Sequence, residues 1–153
     1  IQKDFSRIMS LRDGTKKMSK SEVSDLSRIN LTDNKDAIIS KIKKAKTDPL
    51  PLPIDIKELD KRPEAKNLLS IYSSLNDLAL EKTINEFSGK NFSEFKESLI
   101  QVLVDKLEPI SGEINKLMSN QDYLDRILDL GCEKANNIAS EKVKKIKQII
   151  GFN

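Results

Sequence analysis

Residues 14–21 read GTKKMSKS. Lys16, Lys17 and Lys20 stand close together behind a glycine, with the hydroxyls of Ser19 and Ser21 among them. Such a group is suited to phosphate chemistry. Its ammonium groups can meet the negative charge that builds on a departing pyrophosphate. That speeds a reaction only where the contact is stronger in the transition state than in the ground state, which a loop that closes late can arrange. The same residues also make an ordinary solvated lysine turn, and composition alone does not separate the two. The stretch is one residue from the P-loop pattern G-x-x-x-x-G-K-[ST], with Ser19 at the second glycine position. That glycine lets the backbone reach the phosphate, and the loop must open a helix beside a parallel sheet. Ser19 carries a Cβ, and EVSDLSRINL after Ser21 has no helical stripe. A rigid P-loop cradle is therefore excluded.

Composition narrows the chemistry further. The chain has no histidine, which removes histidine bases, histidine-containing metal sites and Ser-His-Asp triads together. Cys132 is the single cysteine, so no disulfide can form within the chain, and a reducing, cytoplasmic setting is expected. Beside Gly131 it reads as a small packing residue. The apolar runs fall short of a membrane span, no signal-peptide pattern opens the chain, and no membrane partner is expected. The chain starts at Ile1 without Met, as a cut inside a longer protein or a trimmed chain would. Charged residues make up 33% and aromatics 5%, which suits solvated helices better than a sandwich or barrel. A net charge of +3 permits nucleic acid without identifying it.

The elements that must carry the lysines follow from pattern. Residues 7–11, RIMSL, alternate as one short strand would, and Asp13-Gly14 turns after it. Residues 19–30 read as a mobile loop. Asp33 reads as the N-cap of a helix over 34–46, with Ile38, Ile42 and Ala45 on one face. Pro49, Pro51 and Pro53 end it in an extended connector, the expected seam between two parts. Beyond the connector the chain reads as a helical bundle. Pro63 opens a helix striped by Ala65, Leu68, Leu69, Tyr72 and Leu75. A shorter helix over 77–87 stops near Gly89. Ser93 reads as the cap of the next helix, which carries Phe95, Leu99, Val102, Leu103 and Leu107, and Pro109 with Gly112 should kink or break it. Ile110, Ile114 and Leu117 continue its apolar side. Asn120 caps a helix carrying Tyr123, Leu124, Ile127 and Leu128, Gly131 interrupts, and a last helix turns Ala135, Ile138, Ala139, Val143, Ile146 and Ile150 inward.

KMSKS, residues 17–21, is the signature loop of class I aminoacyl-tRNA synthetases. The surrounding text, RIMSLRDGTKKMSKS, SRINLTDNKDAIISKIKKAKTD, RPEAKNLLSIYSSL and EKANNIASEKVKKIKQIIGF, resembles successive blocks of the bacterial tryptophanyl-tRNA synthetase family over nearly the whole chain. That family is homodimeric and about twice this length, with the HIGH motif and tryptophan pocket in the N-terminal half. The resemblance implies a mainly α chain, a helical bundle with a short N-terminal strand and a mobile loop left over from a Rossmann-type catalytic domain. It implies three parts: 1–48 as the end of the catalytic domain, 49–62 as connector, and 63–153 as the anticodon-binding helical domain. The implied substrates are tryptophan, ATP with Mg²⁺ held mainly by its phosphates, and tRNA(Trp). By resemblance, Lys17 and Lys20 pair with the β and γ phosphates, Ser19 hydrogen-bonds a phosphate, and the backbone near Met18 lies against adenine. The family often has Asp-Pro after the loop, where this chain has Glu22-Val23; that bears on the loop's rigidity. Without its sheet partners, residues 1–30 are expected to be mobile or repacked. Lys134, Lys142, Lys144, Lys145 and Lys147 would meet tRNA phosphates, or are simply a solvated helix face. Tyr123 would stack on an anticodon base or pack in the core. A non-catalytic helical RNA-binding module is the rival to the enzyme reading.

Overall fold

The computed structural model describes residues 7–152; the reading of Ile1 lies outside them. The elements are α1 (Lys35–Lys43), α2 (Pro63–Leu75), α3 (Leu80–Phe87), α4 (Phe92–Met118) and α5 (Gln121–Ile150), with 3-10 turns at Asp25–Ser27 and Ile56–Lys61. The mainly helical fold class holds. The expected strand at residues 7–11 does not form among the described residues: a single antiparallel bridge, Met9 to Lys17, stands in its place. The chain divides into two compact units, residues 1–112 and 113–153.

The first unit is built on α2, α3 and the first half of α4. Ala65, Leu68, Leu69 and Tyr72 are buried as their spacing predicts, and Pro63 occupies the first helical turn. Tyr72, Phe87 and Phe95 meet with ring centroids 4.9–5.8 Å apart, two of the three pairs edge to face. This geometry sets the positive ring edge against the negative face. Ser73 Oγ donates to the Leu69 carbonyl and lies 2.8 Å from Thr83 Oγ1, which satisfies both buried hydroxyls. Ile38, Ile42 and Ala45 bring α1 into the same core. Lys96 of α4 donates to the carbonyls of Lys43 and Ala45, so a cation closes the C-terminal end of α1.

Several helix boundaries differ from the sequence reading, each for a local reason. Asn34, not Asp33, caps α1, its side chain accepting from Ala37 N; Asp33 is buried one residue earlier in an ion pair. Asp77 does not start α3. It ends α2 at φ 52°, with Leu78 N bonded to Ser73 O and Asp77 N to Ser74 O. That is a Schellman closure with aspartate at the left-handed position. Ser93 lies inside the first turn of α4, and Asn91 O accepts from Phe95 N.

The expected breaks at Pro109 and Gly131 do not occur: α4 runs through Pro109 and Gly112, and α5 through Gly131. Proline removes one backbone bond and a glycine costs about 1 kcal/mol, which long flanking helix can absorb. The glycine that does end a helix is Gly151, at φ 80°, where Phe152 N bonds Lys147 O. Asn120 caps α5 as expected, accepting from Tyr123 N. No residue of α5 is buried, so the inward assignment of Ala135, Ile138, Ala139, Val143, Ile146 and Ile150 is corrected, as is a core role for Tyr123. Cys132 is exposed, with Asn136 Nδ2 3.3 Å from its sulfur, and is not a packing residue.

Residues 49–62, expected as an extended connector, are tied down and include the 3-10 turn Ile56–Lys61. Arg62 grips Asp48 through Nε at 2.9 Å and Nη2 at 2.6 Å, and donates to the carbonyl of Pro51. Leu52 is buried and exchanges backbone bonds with Gly89 and Lys90.

Phe95 is fully buried, so Phe95→Ala should cost about 3–5 kcal/mol in a urea unfolding experiment. Ile138→Ala, at a residue 70% exposed, should stay within about 0.5 kcal/mol. Equal losses would contradict this division of the core.

Candidate functional site

The lysine loop is framed by a short hairpin. Ser10 N donates to Lys16 O at 2.8 Å and Met18 N to Ile8 O at 3.0 Å, flanking the Met9–Lys17 bridge. On the other side of Met9 there is no strand. The side chain of Asn67 on α2 substitutes for one, accepting from Met9 N and donating to Met9 O, both at 2.9 Å. One helix side chain thus satisfies a backbone donor and acceptor that burial would otherwise orphan.

The hairpin turn is held at its tip. Asp13 Oδ1 accepts from Thr15 N and Thr15 Oγ1, and Lys16 N returns to Asp13 O. Gly14 packs against the start of α2 so closely that a Cβ would lie 2.5 Å from the carbonyl carbon of Pro63. Glycine is required there for close approach, not for a special φ. Leu11 is buried, and its N–H bonds Ser27 O while its carbonyl accepts from Lys46 N. Of the residues expected to be mobile or repacked, Ser10, Leu11, Gly14 and Ser27 are buried, while those from Lys20 to Asp25 are exposed.

Lys17, Met18, Ser19 and Lys20 line one open cavity of about 620 Å³, with Arg7, Arg28 and Asn30 on its other walls. The four residues expected to act together are therefore together. Lys17 and Lys20 are exposed, and among the described residues neither pairs with a carboxylate; Lys16 does, with Asp13 at 3.6 Å. Ser19 Oγ lies 2.9 Å from Ser21 Oγ and accepts from Ser21 N, which bends the loop after Met18. Among the described residues no carboxylate lines the cavity. Its donor set therefore fits a polyphosphate, and a Mg²⁺ there would take its oxygens from the phosphates. Lys134, Lys142, Lys144, Lys145 and Lys147 all lie on α5, exposed, within the second unit.

Two features escaped the sequence reading. Arg7 and Arg28 add cationic walls to the cavity, and no motif marks them. Lys41 is the other: it is 3% exposed and sits between Asp33 at 2.6 Å and Asp25 at 2.7 Å. A signal for it was present, since Lys41 falls in the inner stripe between Ile38 and Ile42.

The carboxylates at either end of the loop are held below the usual range. Asp13 is lowered chiefly by the Thr15 hydroxyl, then by the Thr15 N–H; Asp25 chiefly by Lys41, then by Asn30. A depressed folded value contributes stability above the unfolded value and loses it as pH falls through the folded one. The loop's order should hold above about pH 4 and decline below it, as an NMR titration would show. Order unchanged at about pH 2 would contradict this. Gly14→Ala should displace the turn from α2 and cost about 1–3 kcal/mol in thermal unfolding; no loss would mean the contact with Pro63 is looser.

Comparison with known proteins agrees with this geometry. The family model described as tRNA synthetases class I (W and Y) matches residues 3–108. The tryptophan–tRNA ligase of Agrobacterium fabrum is 49% identical over 146 residues, 95% of this chain and 41% of its own. That of Rickettsia felis is 51% identical over 152 residues, 99% of this chain and 46% of its own. The crystal structure of tryptophanyl-tRNA synthetase from Mycoplasma pneumoniae superposes with a TM-score of 0.71 at 25% identity, covering 99% of this chain and 47% of that one. The chain thus spans less than half the length of the curated relatives it matches. A match over more than two-thirds of the chain, falling on the hairpin, the lysine loop and the helices that hold them, places this chain in the class I tRNA synthetase family of the tryptophan and tyrosine type.

Proposed function

We propose that this chain is the C-terminal part of a tryptophan–tRNA ligase. In this reading residues 1–48 close the catalytic domain, 49–62 connect, and 63–153 form the anticodon-binding domain. The observation that carries it is the cavity where Lys17, Met18, Ser19 and Lys20 meet, within a sequence about half identical to tryptophan–tRNA ligases.

The tryptophan carboxylate oxygen attacks the α-phosphorus of ATP. The bond to the β-phosphate oxygen breaks, and pyrophosphate leaves with its electron pair. Lys17 and Lys20 meet the charge on the β and γ phosphates, Ser19 donates a hydrogen bond to a phosphate oxygen, and the backbone at Met18 lies against adenine. Among the described residues these ammonium groups pair with no carboxylate, so they are available to meet that charge as it builds. This is how a contact becomes stronger in the transition state than in the ground state. A Mg²⁺ bound with ATP would take its oxygens from the phosphates and supply charge neutralisation, leaving Lys17 and Lys20 to meet the remainder. The terminal ribose hydroxyl of tRNA(Trp) then attacks the tryptophanyl carbonyl and gives up its proton, the bond to the phosphate oxygen breaks, and AMP leaves. Lys134, Lys142, Lys144, Lys145 and Lys147 lie along α5 and would contact tRNA phosphates. The same reading makes the whole protein a cytoplasmic homodimer, with the tryptophan pocket upstream of these residues. No helix among the described residues is long and apolar enough to cross a membrane.

The lysines separate this reading from an RNA-binding module. With the chain joined to the upstream part of its Rickettsia felis relative, Lys17→Ala and Lys20→Ala should each slow single-turnover adenylate formation by about 10²–10³-fold. Filter-binding affinity for tRNA should barely change. Weaker RNA binding with unaltered adenylate formation would leave the module.

A further inference from the structure

Lys41 lies outside the phosphate cavity, yet a continuous polar chain joins it to the lysine loop. Its ammonium group is held between Asp33 Oδ2 at 2.6 Å and Asp25 Oδ2 at 2.7 Å. Asp33 Oδ2 also accepts from Asn30 N at 2.8 Å. The other oxygen of Asp25 accepts from Asn30 Nδ2 at 3.1 Å and forms an ion pair with Arg28, whose Nη2 lies 3.0 Å away. Arg28 in turn donates through Nη1 to the carbonyl of Glu22 at 2.8 Å. Glu22 lies two residues after Lys20, and Arg28 itself lines the cavity. The chain therefore runs from α1 through Lys41, Asp25 and Arg28 to the return limb of the loop.

The starting point of that chain is rigid. Ile38 and Ile42 flank Lys41 on α1, and both are fully buried. A buried ammonium group cannot leave its carboxylates without a large desolvation penalty, so its partners are confined too. Asp25 is the opposite case: its side chain is 56% exposed and sits on a single 3-10 turn. Without Lys41 the Asp25 side chain would lose its buried partner, although the backbone of the turn stays tied through Ser27, which is buried and bonded to Leu11 N. Arg28 would then lose the carboxylate that orients its guanidinium toward Glu22.

We infer that Lys41 is a positioning residue for the lysine loop, acting through Asp25 and Arg28 to hold Glu22, and hence Lys20, at the cavity. The kinetic consequence rests on the ligase reading given above. Lys41 touches no substrate in this scheme. It sets where the loop begins to move from, and a small misplacement of a catalytic cation has a large effect on rate.

The test uses Asp25→Ala, because Asp25 is half exposed and its loss leaves Lys41 paired with Asp33. Lys41→Met would strand a buried aspartate and could unfold the unit. Amide hydrogen exchange in the 153-residue chain should quicken across residues 22–28, with α2 and the first half of α4 unchanged. In the joined protein, kcat for pyrophosphate exchange should fall by about 10- to 100-fold. KM for tryptophan and tRNA affinity should hold, since a general loss of structure would move both. Asp25→Asn, which keeps a hydrogen-bonding oxygen, should be intermediate. Unchanged exchange at 22–28 would overturn the inference. So would faster exchange with full kcat, which would make the network local structure only. A joined parent protein with no pyrophosphate exchange would instead overturn the ligase reading, and the kinetic role of Lys41 with it.

Discussion

A buried ammonium group organises the first unit around the loop. Lys41 is surrounded by Ile38 and Ile42 on its own helix and reaches two carboxylates. The desolvation of such a charge is offset only if its partners stay in place. Asp33 therefore sits at the entrance of α1 rather than capping it, and Asn34 takes the cap. Asp25 is drawn toward α1, and the chain between them is folded back by Asn30, which donates to both carboxylates. Among the described residues no buried side-chain nitrogen or oxygen lacks a partner, so the buried part of the network, Lys41 and Asp33, is fully satisfied.

The loop is thereby held at both ends and left free in the middle. On the entry side, Gly14 rests on the start of α2 and Asn67 completes the backbone of Met9. On the return side, Arg28 holds Glu22. Between them Lys17 and Lys20 are exposed and line a cavity that has no carboxylate in its wall among the described residues. Exposed cations between two fixed points are what the proposed role in pyrophosphate departure calls for. The helices serve the loop by carrying its fixed points. α1 brings Lys41, α2 brings Asn67 and the surface under Gly14, and the Tyr72–Phe87–Phe95 cluster joins α2 to α3 and α4.

Much of this was legible from residue types and spacing. Ile38, Ile42 and Ala45 announce the buried face of α1, Pro63 the start of α2, and Asn120 the start of α5. KMSKS itself marks the loop, and the four residues expected to act there, Lys17, Met18, Ser19 and Lys20, do share one cavity. What was missed has physical causes. Aspartate suits a helix cap, a turn and an ion pair equally, so Asp33 and Asp77 were assigned by local pattern when distant partners and a left-handed turn decided them. Lys41 was passed over because a charged residue in an apolar stripe has no meaning until its carboxylates come from elsewhere in the chain. Pro109, Gly112 and Gly131 show local propensity outweighed by helix on both sides. The stripe on α5 tells which face is apolar, but a stripe does not name what covers it, and here its residues are exposed.

The central issue is whether this loop serves amino-acid activation. Tryptophan-dependent exchange of pyrophosphate into ATP reads that step alone, without tRNA. It is best measured for the chain by itself, for the upstream part of the Rickettsia felis relative by itself, and for the two joined. Exchange in the joined protein and in neither part is the expected result, because the attacking carboxylate and the cations that receive pyrophosphate would come from different parts. Exchange by the upstream part alone, undiminished without this chain, would contradict a catalytic role for Lys17 and Lys20.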